Sequence, residues 1–143
     1  MKSNYTSRTS IQLNNSTAAV WKFLLNTELA SKYFHGAQVI TDWKKGNPIL
    51  FKGEFNGNKY EEKGTILAVV PESLLQYSHW SGFDGLPDLS ENYRTWSFEL
   101  ITENNNTILS VSEDNIPTEK QQKRSDEFWT EVLNTIKQLL NNG

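Results

Sequence analysis

The sequence predicts an α+β domain in which a curved antiparallel sheet wraps around one long C-terminal helix, in the order β-α-α-β6-α. Helical periodicity of apolar residues occurs near the N-terminus and again at the C-terminus, whereas apolar residues between these regions recur at every second position. Turn residues divide the middle of the chain into short runs that suit hairpins. Because hairpin-linked strands pair antiparallel and a one-faced helix needs an apolar partner, we expect the sheet to cover the last helix.

The first part of the chain predicts one strand followed by two short helices. Residues 5–13 alternate loosely and contain β-branched side chains, which favour a strand. Residues 14–17 are polar capping residues, and the apolar residues at 20–25 then fall on one helical face. A second short helix is predicted over residues 28–34, ending at Gly36, because glycine suits the left-handed conformation after a helix.

Six further strands are predicted from the period of two and from the turn clusters between them. They cover residues 37–43, 49–55, 59–70, 73–80, 93–101 and 107–112. Residues 81–92 are predicted to form a long loop because they are rich in glycine and contain proline. In the strand that follows this loop, Arg94, Trp96 and Phe98 share one face, which we expect to point into the core.

The last helix is predicted over residues 118–140. Its apolar stripe begins at Phe128, whereas residues 120–127 are all polar, so only the second half of the helix is expected to be buried. Thr118 and Gln121 have the spacing of a capping box, and residues 141–143 supply a stop signal. Gln121 and Ser125 lie one turn apart on the polar half, where we expect them to flank the mouth of any cavity under the helix.

Composition limits the function classes. A chain of 143 residues suits a single domain, which we expect over residues 1–143. No cysteine is available for a disulfide or a thiolate metal site, and no apolar N-terminal run suggests a signal peptide or membrane span, so we expect a soluble cytoplasmic protein. Lys and Arg number 14 against 17 Asp and Glu, a balance that argues against nucleic-acid binding. The two histidines lie far apart and nucleotide motifs are absent, so neither a metal nor a cofactor is expected.

Seven short motifs, spread over nearly the whole chain, carry a resemblance to a known family. They are residues 20–24, Glu28 with Phe34, 43–48, 60–64, 75–80, 96–100, and 128–129 with the apolar residues that follow. In this order they resemble the START-like (SRPBCC, birch-pollen-allergen-like) superfamily, and within it the domain family of homologues of the activator of the heat-shock chaperone ATPase. The resemblance implies a helix-grip fold with an internal cavity. Across the superfamily such cavities bind lipids, hormones or polyketides, and some branches contact a chaperone.

Large aromatic residues are the best candidates for a ligand site, because apolar pockets with few polar groups hold small molecules. Aromatic residues make up 12% of the chain. The alternative is a filled core, since close packing is the default for protein interiors. The candidates are Phe34, Trp43, Phe51, Tyr60, Trp80, Phe83, Trp96, Phe98 and Trp129.

Three polar residues join these candidates. His79 is either an acid or base pointing into the cavity or an ordinary strand histidine. Arg94, on the inner rim of the sheet, needs a protein carboxylate or an anionic ligand, unless it extends to water. Ser125 is placed at the cavity mouth by its position on the last helix. Of the adjacent carboxylates Glu61 and Glu62, which point to opposite faces of a strand, one is expected at the pocket edge.

The leading hypothesis is non-enzymatic binding of a small apolar or amphipathic molecule between the last helix and the sheet. A chaperone ATPase co-regulator or other protein-interaction module is the first alternative, and a polyketide cyclase-like enzyme is the second. The sequence contains no convincing catalytic set, which weakens the enzyme. A monomer and a homodimer are both compatible with the sequence.

Overall fold

The computed structural model describes residues 4–141, which form seven strands and three α-helices. In chain order they are β1 (Tyr5–Leu13), α1 (Thr17–Leu24), α2 (Thr27–Tyr33), β2 (Gln38–Ile40), β3 (Pro48–Phe55), β4 (Asn58–Val70), β5 (Leu74–His79), β6 (Arg94–Glu103), β7 (Asn106–Ile116) and α3 (Glu119–Asn141). Two 3-10 turns, Gly82–Asp84 and Ser90–Asn92, lie in the long loop between β5 and β6.

All seven strands belong to one antiparallel sheet with the order β1-β7-β6-β5-β4-β3-β2. Strands that are adjacent in sequence from β2 to β7 are also adjacent in the sheet, and β1 pairs with β7 at the edge. The long helix α3 packs against this sheet through buried Trp129, Val132, Leu133 and Ile136. The α+β helix-grip architecture and the β-α-α-β6-α order expected from the sequence are therefore confirmed.

The two short helices begin at side-chain caps. The hydroxyl of Ser16 accepts a hydrogen bond from the backbone of Ala19 at the start of α1. Asn26 Oδ1 accepts from the backbone N–H groups of Glu28 and Leu29 at the start of α2. These hydrogen bonds satisfy backbone N–H groups that have no partner inside each helix. Asn26 caps α2 directly after α1, so the helical run is divided into two at this residue.

The second strand is shorter than the sequence suggested. β2 ends at Ile40, so the predicted strand at residues 37–43 is wrong beyond that residue. The Asp42 carboxylate accepts a hydrogen bond from the backbone of Lys44, and Trp43 adopts a φ of 60°. A local side-chain-to-backbone bond of this kind competes with strand pairing. Trp43 is instead held by a hydrogen bond of 2.7 Å from its indole N–H to the carbonyl of Leu25.

Two glycines allow close contacts between neighbouring strands of the sheet. At Gly64 in β4, a Cβ would stand 1.6 Å from the carbonyl oxygen of Ser78 in β5, so the two backbones approach more closely than any side chain permits. At Gly53 in β3, the ring of Tyr60 on β4 covers the position where a Cβ would lie. The first contact lies where β4 and β5 run side by side next to His79, and the second places the Tyr60 ring against β3.

The last helix begins where the capping pattern predicted. The hydroxyl of Thr118 accepts a hydrogen bond of 3.1 Å from the backbone of Gln121. The helix continues through Asn141, and the remaining stop residues 142–143 lie outside the described residues. Among residues 4–141, no helix is long and apolar enough to cross a membrane.

Candidate functional site

Two adjoining cavities lie between the sheet, α3 and the loop after β5. The smaller, called here the polar cavity, has a volume of about 240 Å³, and the larger, the aromatic cavity, about 460 Å³. The polar cavity is lined by Glu62, His79, Ser81, Phe83, Asp84, Arg94, Trp96, Glu113, Gln121, Arg124, Ser125 and Phe128. The aromatic cavity is lined by Phe34, His35, Ala37, Phe51, Phe55, Tyr60, Glu62, Phe83, Trp96 and Phe128. Four residues line both cavities, so the two share a wall, and together they are called here the site.

A buried ion pair forms the inner end of the polar cavity. Arg94 Nη1 donates a hydrogen bond of 3.0 Å to Glu113 Oε2, and Arg94 Nη2 donates one of 2.6 Å to Gln121 Oε1. The other oxygen of Glu113 accepts from the indole N–H of Trp129 at 2.9 Å. Arg94 and Glu113 are 6% and 4% exposed, so this arginine finds a protein carboxylate as its partner, one of the options that the sequence left open.

A second polar group is centred on Glu62 in β4. Its Oε1 lies 3.1 Å from His79 Nε2, and its Oε2 accepts a hydrogen bond of 2.6 Å from Ser81. Burial by itself raises the pKa of Glu62, but the hydrogen bond and the electrostatic attraction of His79, together with the hydrogen bond from Ser81, outweigh this effect and hold the pKa below its ordinary value. Since His79 and Ser81 both bond to the carboxylate, the described structure does not pair them as a nucleophile and base.

Asp84 is the polar-cavity carboxylate with the fewest partners. Its Oδ1 lies 3.5 Å from Arg94 Nη2, and no described residue donates a hydrogen bond to its side chain. Burial raises the pKa of Asp84 above its ordinary value, although the positive charge of Arg94 acts in the opposite direction. Asp84 therefore retains free hydrogen-bond acceptor capacity at the cavity wall.

Stacked rings form the wall that the two cavities share. The His79 ring lies parallel to Trp96 with centroids 3.8 Å apart, and Phe128 packs on the other side of the site, 6.3 Å from Trp96. The indole N–H of Trp96 is buried and has no hydrogen-bond partner among the described residues. At the mouth of the site, Phe83 packs edge-on against Tyr60 and Phe55.

The structure brings most of the sequence-predicted residues together but divides the aromatic set. Eight of the twelve line one or both cavities: Phe34, Phe51, Tyr60, His79, Phe83, Arg94, Trp96 and Ser125. Trp80 lines a neighbouring surface pocket with Tyr60 and Phe83. The other three, Trp43, Phe98 and Trp129, pack against other core side chains and do not line the two cavities. For all twelve residues, a role in ligand binding remains a prediction.

Several lining residues were not among the candidates from the sequence. Of the two adjacent carboxylates, of which one was expected at the pocket edge, Glu62 lines the cavities; it has the same parity as Tyr60 and Gly64 on the inward face of β4. Glu113 was missed because the last strand was expected to end at residue 112, whereas β7 continues to Ile116. Asp84 lies on a 3-10 turn in a loop, where no periodicity reports the direction of a side chain.

The comparison with known proteins identifies the family. Residues 14–141 match the sequence profile of the family described as Activator of Hsp90 ATPase homolog 1-like protein. The match leaves out only residues 1–13 and 142–143. The chain belongs to this family.

Solved structures share the fold of this Activator of Hsp90 ATPase homolog 1-like (AHSA1-like) domain. The solution structure of ChR145 from Cytophaga hutchinsonii is 38% identical, covering 99% of this chain and 97% of its own, with a TM-score of 0.85. The crystal structure of CV1439 from Chromobacterium violaceum is 20% identical, covering 94% and 95% of the two chains, with a TM-score of 0.80. The Aha1 dimer from Colwellia psychrerythraea is 17% identical, covering 93% of each chain, with a TM-score of 0.71. Among proteins of curated function, none matches the AHSA1-like chain.

Proposed function

We propose that this AHSA1-like domain binds a small apolar or amphipathic molecule, with its apolar body in the aromatic cavity and its polar group in the polar cavity. The observation that carries the proposal is the size and composition of the aromatic cavity. A volume of about 460 Å³ lies within the range of small-molecule pockets, roughly 300–1,000 Å³. Its lining is mostly aromatic, with a few polar groups at one end, which is the usual composition of such pockets.

The exposed aromatic side chains at the mouth support the same function. Phe55 and Phe83 are 60% and 64% exposed, and they contact one another above the aromatic cavity. Exposed apolar clusters on an otherwise polar surface commonly mark interaction sites. A bound molecule in the aromatic cavity would cover part of this apolar surface.

A chaperone-binding function is the second candidate, because the family takes its name from activators of a chaperone ATPase. The exposed Phe55 and Phe83 supply apolar surface for such a contact. A homodimer is proposed on weaker grounds, since the Colwellia relative was solved as a dimer. The cyclase-like enzyme receives less support, because the polar side chains of the site are bonded mainly to one another.

The test of small-molecule binding compares two variants. Ala37→Leu adds side-chain volume inside the aromatic cavity, whereas Ala18→Leu adds the same volume to an exposed position on α1. Native mass spectrometry of freshly purified protein and tryptophan fluorescence titrations should detect ligand binding to the wild type and to Ala18→Leu. Binding to Ala37→Leu should be much weaker. Equal binding by both variants contradicts binding in the aromatic cavity. The same three proteins are also used as bait in a pull-down. If all three capture a chaperone and none contains a ligand, the second candidate is favoured.

A further inference from the structure

We propose that the molecule bound in this site carries a cation, with an ammonium group held next to Asp84 in the polar cavity. The inference rests on the proposed binding function and specifies the chemistry of the ligand's polar group. It follows from which polar groups of the site are already satisfied, from the balance of charge in the polar cavity, and from the aromatic rings around it.

The hydrogen bonds within the site leave one carboxylate available. Both oxygens of Glu113 and both oxygens of Glu62 have protein partners. Asp84 has only the 3.5 Å contact with Arg94, and it accepts no side-chain hydrogen bond from residues 4–141. A partly buried carboxylate with free acceptor capacity is stabilised by a donor, and a positively charged donor satisfies it best.

The charges of the polar cavity favour the same sign of ligand. Three carboxylates, those of Glu62, Asp84 and Glu113, line it. The buried guanidinium of Arg94 faces two of them, and the imidazole of His79 is paired with the third, Glu62. Arg124 also lines the cavity but is exposed, so its charge is largely screened by water. An anionic group would bring a fourth negative charge into this space, whereas an ammonium group would reduce the excess.

The aromatic rings provide a second, independent reason. Phe83, Trp96 and Phe128 line both cavities, so a group placed between the cavities lies among their rings. Cations bind favourably over aromatic faces, and ammonium ligands are often held in this way.

The experiment uses four probes that share a decyl chain and differ in the polar group: decylamine, decyltrimethylammonium, decanol and decanoate. Each is titrated calorimetrically into the full chain at neutral pH, below the concentration at which it forms micelles. Decylamine should bind about tenfold more tightly than decanoate, the ratio expected for one charge-assisted hydrogen bond. Decyltrimethylammonium, which contacts rings but cannot donate a hydrogen bond, should fall between decylamine and decanol.

Two variants of the same loop separate a local contact from a general effect of charge. Asp84→Asn removes the proposed partner, and Glu91→Gln removes one negative charge from an exposed position. Decylamine should lose about tenfold in affinity for Asp84→Asn and keep its affinity for Glu91→Gln. Decanol should change much less for Asp84→Asn, because the asparagine oxygen still accepts a hydrogen bond from its neutral hydroxyl. The inference is overturned if decanoate binds as tightly as decylamine, or if decylamine loses the same affinity for both variants. In either case, binding of decanol still supports the proposed function. Failure of all four probes, decanol included, overturns the proposed function.

Discussion

The indole N–H of Trp129 on α3 donates a 2.9 Å hydrogen bond to Glu113 on β7, and neither side chain reaches the surface. Trp129 also packs edge-on against Trp96, with centroids 4.7 Å apart, so it supports the cavity wall from behind. The aromatic residues thus divide between a filled core and the lining of the cavities. Some rings fill the interior completely, and others border empty volume. The Glu113 carboxylate joins the two regions, because its other oxygen bonds to Arg94 in the polar cavity.

Replacing Glu113 with glutamine should destabilise the fold by roughly 2–4 kcal/mol, because it removes the closer and more deeply buried of the two carboxylates that face Arg94 and leaves only Asp84, at 3.5 Å. The measurement is the free energy of unfolding in urea. Glu131→Gln, which removes an exposed carboxylate from α3, is the matched control and should change stability by no more than about 0.5 kcal/mol. Equal effects of the two substitutions would mean that the buried pair contributes little to the fold.

Gly64→Ala should be among the most destabilising single-methyl substitutions in the sheet. The added Cβ would stand 1.6 Å from the carbonyl oxygen of Ser78, so β4 and β5 must separate to accept it. Overpacking of this kind costs about 1–3 kcal/mol or more. Thr65→Ala, at the next and exposed position, serves as the control in the same unfolding assay. A loss below about 0.5 kcal/mol for Gly64→Ala would show that the backbones separate easily.

The sequence predicted the fold much better than the site, for a physical reason. Periodicity reports which face of a strand or helix is apolar, and this sufficed for β6, where the inward face of Arg94, Trp96 and Phe98 was predicted correctly. Strand ends and loops have no such period. The extension of β7 that brings in Glu113 and the 3-10 turn that carries Asp84 were therefore not predicted. Whether a tryptophan fills the core or borders a cavity depends on how neighbouring elements pack, which pairwise spacing does not encode.

Glu62→Gln should lower stability at neutral pH by about 1–2 kcal/mol, since an amide accepts more weakly than a carboxylate from His79 and Ser81. The pKa of Glu62 is lowered in the folded protein relative to its ordinary value of 4.5. Ionised Glu62 thus contributes stability that is fully present above about pH 4.5 and is lost as the pH falls through the lowered pKa. Urea unfolding of both proteins over a range of pH should show the difference shrinking in acid. A difference that does not change with pH would contradict this origin.

Asp84→Asn should behave in the opposite way and stabilise the unliganded protein at neutral pH. Burial raises the pKa of Asp84 in the folded protein above its ordinary value of 3.8, so folding disfavours the ionised form. Below about pH 3.8 the group is protonated in both states and costs nothing; as the pH rises through the raised pKa, the wild type loses stability relative to the variant. Because the side chain is partly exposed, the gain is expected to be only about 0.5 kcal/mol.

The measurement for Asp84 is the same pH series of urea unfolding curves, with the wild type and Asp84→Asn compared in the absence of added ligand. A variant less stable than the wild type at neutral pH would mean that attraction to Arg94 outweighs the cost of burial. The ion pair with Arg94 would then be enough to explain why an aspartate stands at position 84. A variant that is more stable yet binds decylamine more weakly would show that Asp84 is maintained at a cost to the fold. Residues that weaken the fold but strengthen binding are characteristic of functional sites.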